Sequence, residues 1–319
     1  MYVTRGLCVW HEPRFAERYM KKTENWVGLL FATPWIIGFL AFLLYPIGIS
    51  LYYSFTNFSL FNKPVFTGLD TYKAVFSDPL VFKSIQNTLF MTLIATPLYI
   101  LFGLFTAMLL NTRVKGMSYY RTVFYIPSLV PQVASTILWV WMLNSRYGLI
   151  NGILKRLGLY QPNWFYDPRY AKIGIIFMGI WGTGTIMVIF LAALQDIPQT
   201  LYEASEIDGA NRIRQFFSVT LPSLSPTILF QVVVGLIASF QIFTPALIIG
   251  QSQKANPASV YGGPENSLLF YAAYLFYSAF NFFKMNFASA MAWVMFIITA
   301  AVTWLVFKTS DKWVTYGGE

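Results

Sequence analysis

The chain has 319 residues, of which 56% are hydrophobic and 19% aromatic. Only 11% carry charge, where a soluble domain carries about 25%, so an ordinary water-soluble enzyme is excluded. The excess of 22 Lys+Arg over 13 Asp+Glu gives a net charge of +9. It does not signal nucleic acid, because the basic residues are scattered between apolar blocks and form no stripe. Cys8, the one cysteine, has no partner for an intramolecular disulfide, and no apolar run of the kind a lipid-attachment signal needs precedes it.

In chain order, the opening residues are too charged for a cleaved signal peptide, and the apolar block after them is too long. Phe15 and Tyr19 share a face there, with Glu17 and Lys21 spaced for an i,i+4 pair, which predicts a short helix. A bilayer core of about 30 Å needs about 20 apolar residues per helix, and a central charge costs roughly 2.5–3.5 kcal/mol, so charge-free stretches mark spans. Six are long enough: 25–62, 84–112, 122–145, 173–195, 215–253 and 285–307. A seventh charge-free piece, 266–283, runs into Lys284 without a turn signal and reads as an aromatic-rich interfacial segment. An even number of spans puts both termini on one side. The basic tail and the short loop of residues 111–120 place that side in the cytoplasm. The predicted organisation is a cytoplasmic tail over 1–25, six membrane helices over 26–308 and a second cytoplasmic tail over 309–319. Residues 146–172 carry Leu149, Ile150, Ile153, Leu154 and Leu157 at helical spacing opposite Lys155 and Arg156, which suits a helix on the outer membrane surface.

None of the six spans contains Asp, Glu or His, and the one histidine, His11, is in the N-terminal tail. A carrier driven by protons or sodium normally keeps such a group at membrane depth. There is no glycine-rich phosphate loop, no metal-ligand cluster and no serine with a histidine to activate it, so no catalytic, metal or cofactor site is expected in this chain. The spans do hold uncharged polar groups: Thr88, Thr92 and Thr96; Gln132, Ser135 and Thr136; Gln231, Ser239, Gln241 and Thr244; Asn286 and Ser289. Most of these read as helix-to-helix hydrogen bonds. Prolines 34, 46, 97, 127, 131 and 245 each free a backbone carbonyl, which lipid-facing helices tolerate only where protein or water satisfies it. A cavity lined by hydroxyls, amides and rings suits a neutral polyhydroxylated solute.

The connection over residues 196–222 is more than a tether. Pro198 suits a helix start and Gly209 a helix stop. A second helix follows with Ile213, Phe216 and Phe217 on one face, and Leu221-Pro222 is expected to end it before the fifth span. On these grounds alone it is either a surface hairpin that stabilises the bundle or a docking knob, with Ala204 and Ser205 small enough for close approach.

The run Glu203-Ala204-Ser205-Glu206-Ile207-Asp208-Gly209-Ala210, followed by Leu221-Pro222, resembles the EAA loop of type I ABC importer permeases, with Ser205 for the second alanine and Val219 where isoleucine is common. The resemblance extends over about residues 25–307 and is closest to the carbohydrate branch, similar to maltose and glycerol-phosphate permeases. Arg121-Thr122-Val123-Phe124 with Pro127, Pro131 and Trp139, Phe240-Gln241-Ile242-Phe243, Gly262-Gly263-Pro264 and Ala288-Ser289-Ala290-Met291-Ala292 carry it. It implies an all-α integral membrane protein with six transmembrane helices and a cytoplasmic coupling helix between the fourth and fifth. Glu203, Ala204, Ser205, Asp208, Gly209, Leu221 and Pro222 would then couple to an ATPase, and Phe240, Gln241 and Thr244 would bind the sugar, the threonine departing from the family's amide.

The resemblance also implies the partners: two cytoplasmic ATPase subunits that bind ATP and Mg, a second homologous permease subunit, an external or periplasmic solute-binding protein, sugar and membrane lipid, with no nucleic acid. Two other readings stand beside it. One is a self-contained secondary carrier or channel. The other is an importer of an acidic saccharide or glycerol phosphate, since the outward segments hold ten basic residues against Asp70, Asp78, Asp167 and Glu265.

Overall fold

A computed structural model describes residues 14–112, 114–252 and 262–315, with side chains from residue 26 onward. Cys8 and His11 lie outside the described residues. The described chain is helical, and its extended pairing amounts to two isolated bridges, Thr56 with Phe66 and Ser59 with Asn62. Four helices are long and apolar enough to cross a membrane, and two bent pairs raise the count to six.

The chain divides into two compact units, 1–53 and 54–319. In the first, α1 (Arg14–Phe39) runs through a π turn (Leu40–Leu44) into α2 (Tyr45–Ser54). The helix predicted in the tail therefore continues without a break into the first span, Trp26–Ser54. That span shows apolar side chains on every side, among them Trp26, Phe31, Trp35 and Phe42, all exposed.

In the second unit, α3 (Asp70–Ser77) precedes α4 (Pro79–Phe90), which Asp78 caps by accepting from Leu80 N at 2.7 Å. A π turn (Met91–Ala95) joins α4 to α5 (Thr96–Leu110), completing the second span. The third is a broken pair, α6 (Met117–Leu129) and α7 (Gln132–Met142), bent by 97°. Pro131 forces the break, because it pushes Val130 into extended backbone with ψ 127°. After α8 (Leu149–Arg156), the fourth span is α9 (Pro168–Trp181) and α10 (Gly184–Gln195), bent by 48° at Gly182-Thr183. Then come α11 (Gln199–Ile207), α12 (Arg212–Gln215), a π turn (Phe216–Thr220), α13 (Leu221–Phe240), α14 (Thr244–Ser252), α15 (Tyr271–Phe276) and α16 (Met285–Ser310).

Three π turns share one cause. Each ends two residues before a proline, Pro46, Pro97 or Pro222, and in each the residue between donates five positions back: Tyr45 N to Leu40 O, Thr96 N to Met91 O, Leu221 N to Phe216 O. Proline lacks a donor and its ring presses on the carbonyl four residues earlier, and a wider turn just ahead absorbs that displacement. The expectation that Leu221-Pro222 closes a separate helix is thereby corrected: the π turn carries α12 through Pro222 into α13, and the helix continues.

Over its first part, residues 267–279, the charge-free segment 266–283 is enclosed in the bundle, and only its end, Phe280 to Phe283, is exposed. Leu268, Phe270, Tyr271, Ala273 and Ser278 are at most 2% exposed, and the stretch is wedged among α4, α9 and α16. Its backbone is satisfied by the second span: Asn87 Nδ2 donates to the carbonyls of Asn266 (2.7 Å) and Leu269 (2.9 Å), and Thr88 Oγ1 accepts from Tyr271 N at 3.0 Å. Further along the threonine ladder, Thr92 Oγ1 lies 2.7 Å from Ser239 Oγ and Thr96 Oγ1 donates to Gly235 O at 3.5 Å. The ladder therefore does the helix-to-helix bonding its spacing suggests. On α8, Ile150 and Leu154 pack inward while Leu149, Ile153 and Leu157 stay exposed, as a surface helix requires.

A second apolar cluster lies nearer residues 196–222, where Leu104, Ala107 and Leu110 of α5 meet Met187, Phe190 and Leu194 of α10 and Leu224 of α13. The helices approach this closely because Gly103 has no side chain; a Cβ there would stand 2.5 Å from Ile186 Cγ2. Gly103→Val is expected to cost about 1–3 kcal/mol by overpacking, read as a lower thermal unfolding temperature in detergent. Gly28→Val, where a Cβ meets nothing within 4 Å, should leave that temperature unchanged.

Candidate functional site

The hairpin between the fourth and fifth spans is built from local signals. Pro198, at ψ 132°, leads into α11. At the other end the backbone closes as a Schellman turn: Ala210 N donates to Ser205 O at 2.9 Å, Gly209 N donates to Glu206 O, and Gly209 adopts φ 76°. That left-handed conformation is free of steric cost for glycine only. Asn211 then caps α12, its Oδ1 accepting from Arg214 N at 2.9 Å. Tyr202 fastens α11 to the fifth span, its hydroxyl 3.0 Å from Thr220 Oγ1, and Tyr202, Phe216 and Val219 all pack on the second apolar cluster.

Of the residues expected to couple, Glu203, Ala204, Asp208 and Gly209 stand together on the exposed side of the hairpin. Ser205 is half-buried with its hydroxyl donating back to Tyr202 O, and Leu221 and Pro222 are half-buried at the base. The helical-face reading placed Ile213 and Phe217 with Phe216, but they separate from it: Phe216 turns to the core, while Ile213 and Phe217 are exposed. Ile207 is 88% exposed. Ile207, Ile213 and Phe217 thus leave apolar side chains exposed on the hairpin, among the charged residues Glu203, Glu206, Asp208, Arg212 and Arg214.

Between α5, α7, α10 and α13 lies a cavity of about 420 Å³. Its polar lining is Thr96, Tyr99, Gln132, Thr185, Gln231 and Ser239, and no charged side chain borders it. That volume falls in the range of small-molecule sites. Gln231 is 4% exposed and its Nε2 has no hydrogen-bond partner. A buried amide donor normally finds one, and leaving it open costs roughly 1–3 kcal/mol.

The three residues expected to bind sugar are not brought together in this cavity. Phe240 is 4% exposed, inside the bundle. Gln241, at the break between α13 and α14, faces a different groove of about 700 Å³ bordered by Thr299, Thr303 and Trp304 of α16. Thr244 is half-buried at the start of α14. Gln132 and Gln231 are polar span residues whose composition suggested helix packing. Only the rotation of α13, which residue spacing leaves open, shows that Gln231 faces a cavity.

Residues 99–308 match the family described as "Binding-protein-dependent transport system inner membrane component". The chain is 42% identical to the probable ABC transporter permease protein YesP of Bacillus subtilis, over 92% of this chain and 94% of that one. It is 32% identical to the sulfoquinovosyl glycerol transport system permease protein SmoG of Agrobacterium fabrum, over 91% and 92% of the two chains. Its fold is similar to that of a chain in the crystal structure of a bacterial ABC transporter involved in the import of the acidic polysaccharide alginate, with a TM-score of 0.79, 22% identity and coverage of 93% of this chain and 99% of that one. The chain therefore belongs to the binding-protein-dependent transport system inner membrane components, the permease subunits of ABC importers.

Proposed function

We propose that this chain is one transmembrane subunit of an ATP-driven, binding-protein-dependent importer of sugars or oligosaccharides. Its kinship with YesP and SmoG supports the class of machine, and SmoG's named solute, sulfoquinovosyl glycerol, supports a saccharide cargo. In this reading a second, homologous permease subunit faces this one, an external binding protein delivers the solute, and two cytoplasmic ATPase subunits bind ATP and Mg.

The observation that carries the reading is the continuity of one helix. From Arg212 at the hairpin, the chain stays helical through the π turn to Gln231 in the cavity, a span of about 30 Å at 1.5 Å per residue. Movement of the hairpin by an ATPase is thus delivered along a rigid rod to the cavity wall, as rigid-body rocking of helix bundles requires. The C-terminal segment shares the hairpin's side, since Thr315 N donates to Ser225 Oγ at 2.8 Å. This is consistent with a C-terminus on the cytoplasmic, ATPase-facing side, and the even span count would bring the N-terminus there too. The open amide of Gln231 and the neighbouring hydroxyls would hold a neutral polyol through hydrogen bonds of about 0.5–1.5 kcal/mol each, with Tyr99 as a ring for stacking on a sugar face.

Glu203→Lys reverses charge on an exposed residue, so the chain should insert and fold normally while ATP-driven uptake by the assembled complex falls about tenfold or more, a loss of at least ~1.4 kcal/mol in docking. Unchanged uptake removes Glu203 from coupling. Gln231→Leu separates site from scaffold: it removes an Nε2 donor with no partner, so the unfolding temperature should hold or rise while solute affinity drops by about 1–3 kcal/mol. A fall in stability with normal uptake would make the amide structural.

A further inference from the structure

Two lysines stand at the end of the molecule opposite the hairpin. Lys83 is the last charge before the second span and Lys172 the last before the fourth. The fourth span runs from there down to Gln195, beside residues 196–222. Lys172 is half-buried, with its Nζ 4.6 Å from the centre of the Phe90 ring. Lys83 and Phe90 are seven residues apart on α4 and so share a face, and the Lys83 charge acts on Lys172.

The nearby acids are engaged elsewhere. Asp78 accepts from Leu80 N and, at 2.6 Å, from the Tyr274 hydroxyl. Asp167 takes Arg169 in a two-pronged pair at 2.9 and 3.1 Å, which holds its carboxyl below the usual range. Among the described residues the ion pairs are Lys73 with Asp70, at the surface, and Arg169 with Asp167; neither Lys83 nor Lys172 takes part. A half-buried ammonium that a ring satisfies only in part costs stability, and the two lysines together fit an oxyanion that neither has in the chain. Lys172 also lies above the cavity: Ile175 and Gly179, three and seven residues further along α9 on the same face, line it.

We propose that Lys83 and Lys172 form a receiving site for the acidic group of a saccharide, a carboxylate, sulfonate or phosphate, at the mouth above the uncharged cavity. The site sorts cargo by charge before the neutral hydrogen-bonding groups below take the sugar ring, and it rests on the reading of the chain as a saccharide permease.

Lysine modification tests it without ATP or transport. The full-length chain in phosphatidylcholine nanodiscs is treated with an acetylating reagent, and modification is followed by peptide mass spectrometry with trigalacturonate or its fully methyl-esterified form present. At about 10 mM acid and a dissociation constant of about 1 mM, modification of Lys83 and Lys172 should slow about tenfold. The exposed Lys63 should be unaffected, and the ester should protect neither lysine. Lys83→Gln should weaken protection of Lys172, and Lys172→Gln that of Lys83. Equal protection by acid and ester, or none from either, overturns the proposal. Protection on adding phosphatidylglycerol alone, with none from trigalacturonate, assigns the pair to a lipid headgroup and overturns it too. Loss of the permease reading itself would appear separately, as no ATP-dependent saccharide uptake by the assembled complex carrying the unaltered chain.

Discussion

No backbone amide or carbonyl can be left open to hydrocarbon, and this constraint shapes every span of the molecule. Where proline removes a donor, the helix widens into a π turn ahead of it, at Leu40–Leu44, Met91–Ala95 and Phe216–Thr220. Where the helix breaks outright, at Pro131 or after Phe240, the break abuts other helices or a cavity. The segment around Tyr271, short and irregular, survives inside the bundle because Asn87 and Thr88 answer its carbonyls and amide.

The same constraint bears on the proposed route of force. A proline at position 222 of a simple α-helix would kink it and uncouple the hairpin from the cavity. The preceding π turn accommodates the proline, so the chain stays helical from α12 into α13. Around the cavity, amides and hydroxyls stand without a carboxylate, ammonium or guanidinium among the lining residues. In the proposed reading energy enters at the hairpin, where Glu203, Asp208 and the bare side chain of Ile207 are exposed beside a turn that Gly209 makes in the left-handed conformation.

Much of this was legible in the residues. Charge-free lengths located the spans because charge is costly in lipid whatever the fold, and Pro198 and Gly209 bounded α11 because their backbone preferences are local. The 97° elbow at Pro131 was half visible: the proline marked a break but gave no angle. The enclosure of residues 267–279 was not legible, since a charge-free aromatic run looks the same whether lipid or protein surrounds it. The choice between Gln231 and Gln241 as the amide at the cavity was hidden for a related reason. Both lie on the fifth span, and only the packing of α13 against α5 and α10 decides which one faces inward.

The central claim is that the hairpin is the intracellular contact through which an ATPase drives the bundle. A single cysteine at position 207, in a chain with Cys8 replaced by serine, tests it with a membrane-impermeant maleimide. The account predicts labelling in inside-out vesicles, shielding of that site when the ATPase subunits are added, and no labelling in intact cells. Labelling from outside intact cells would contradict it.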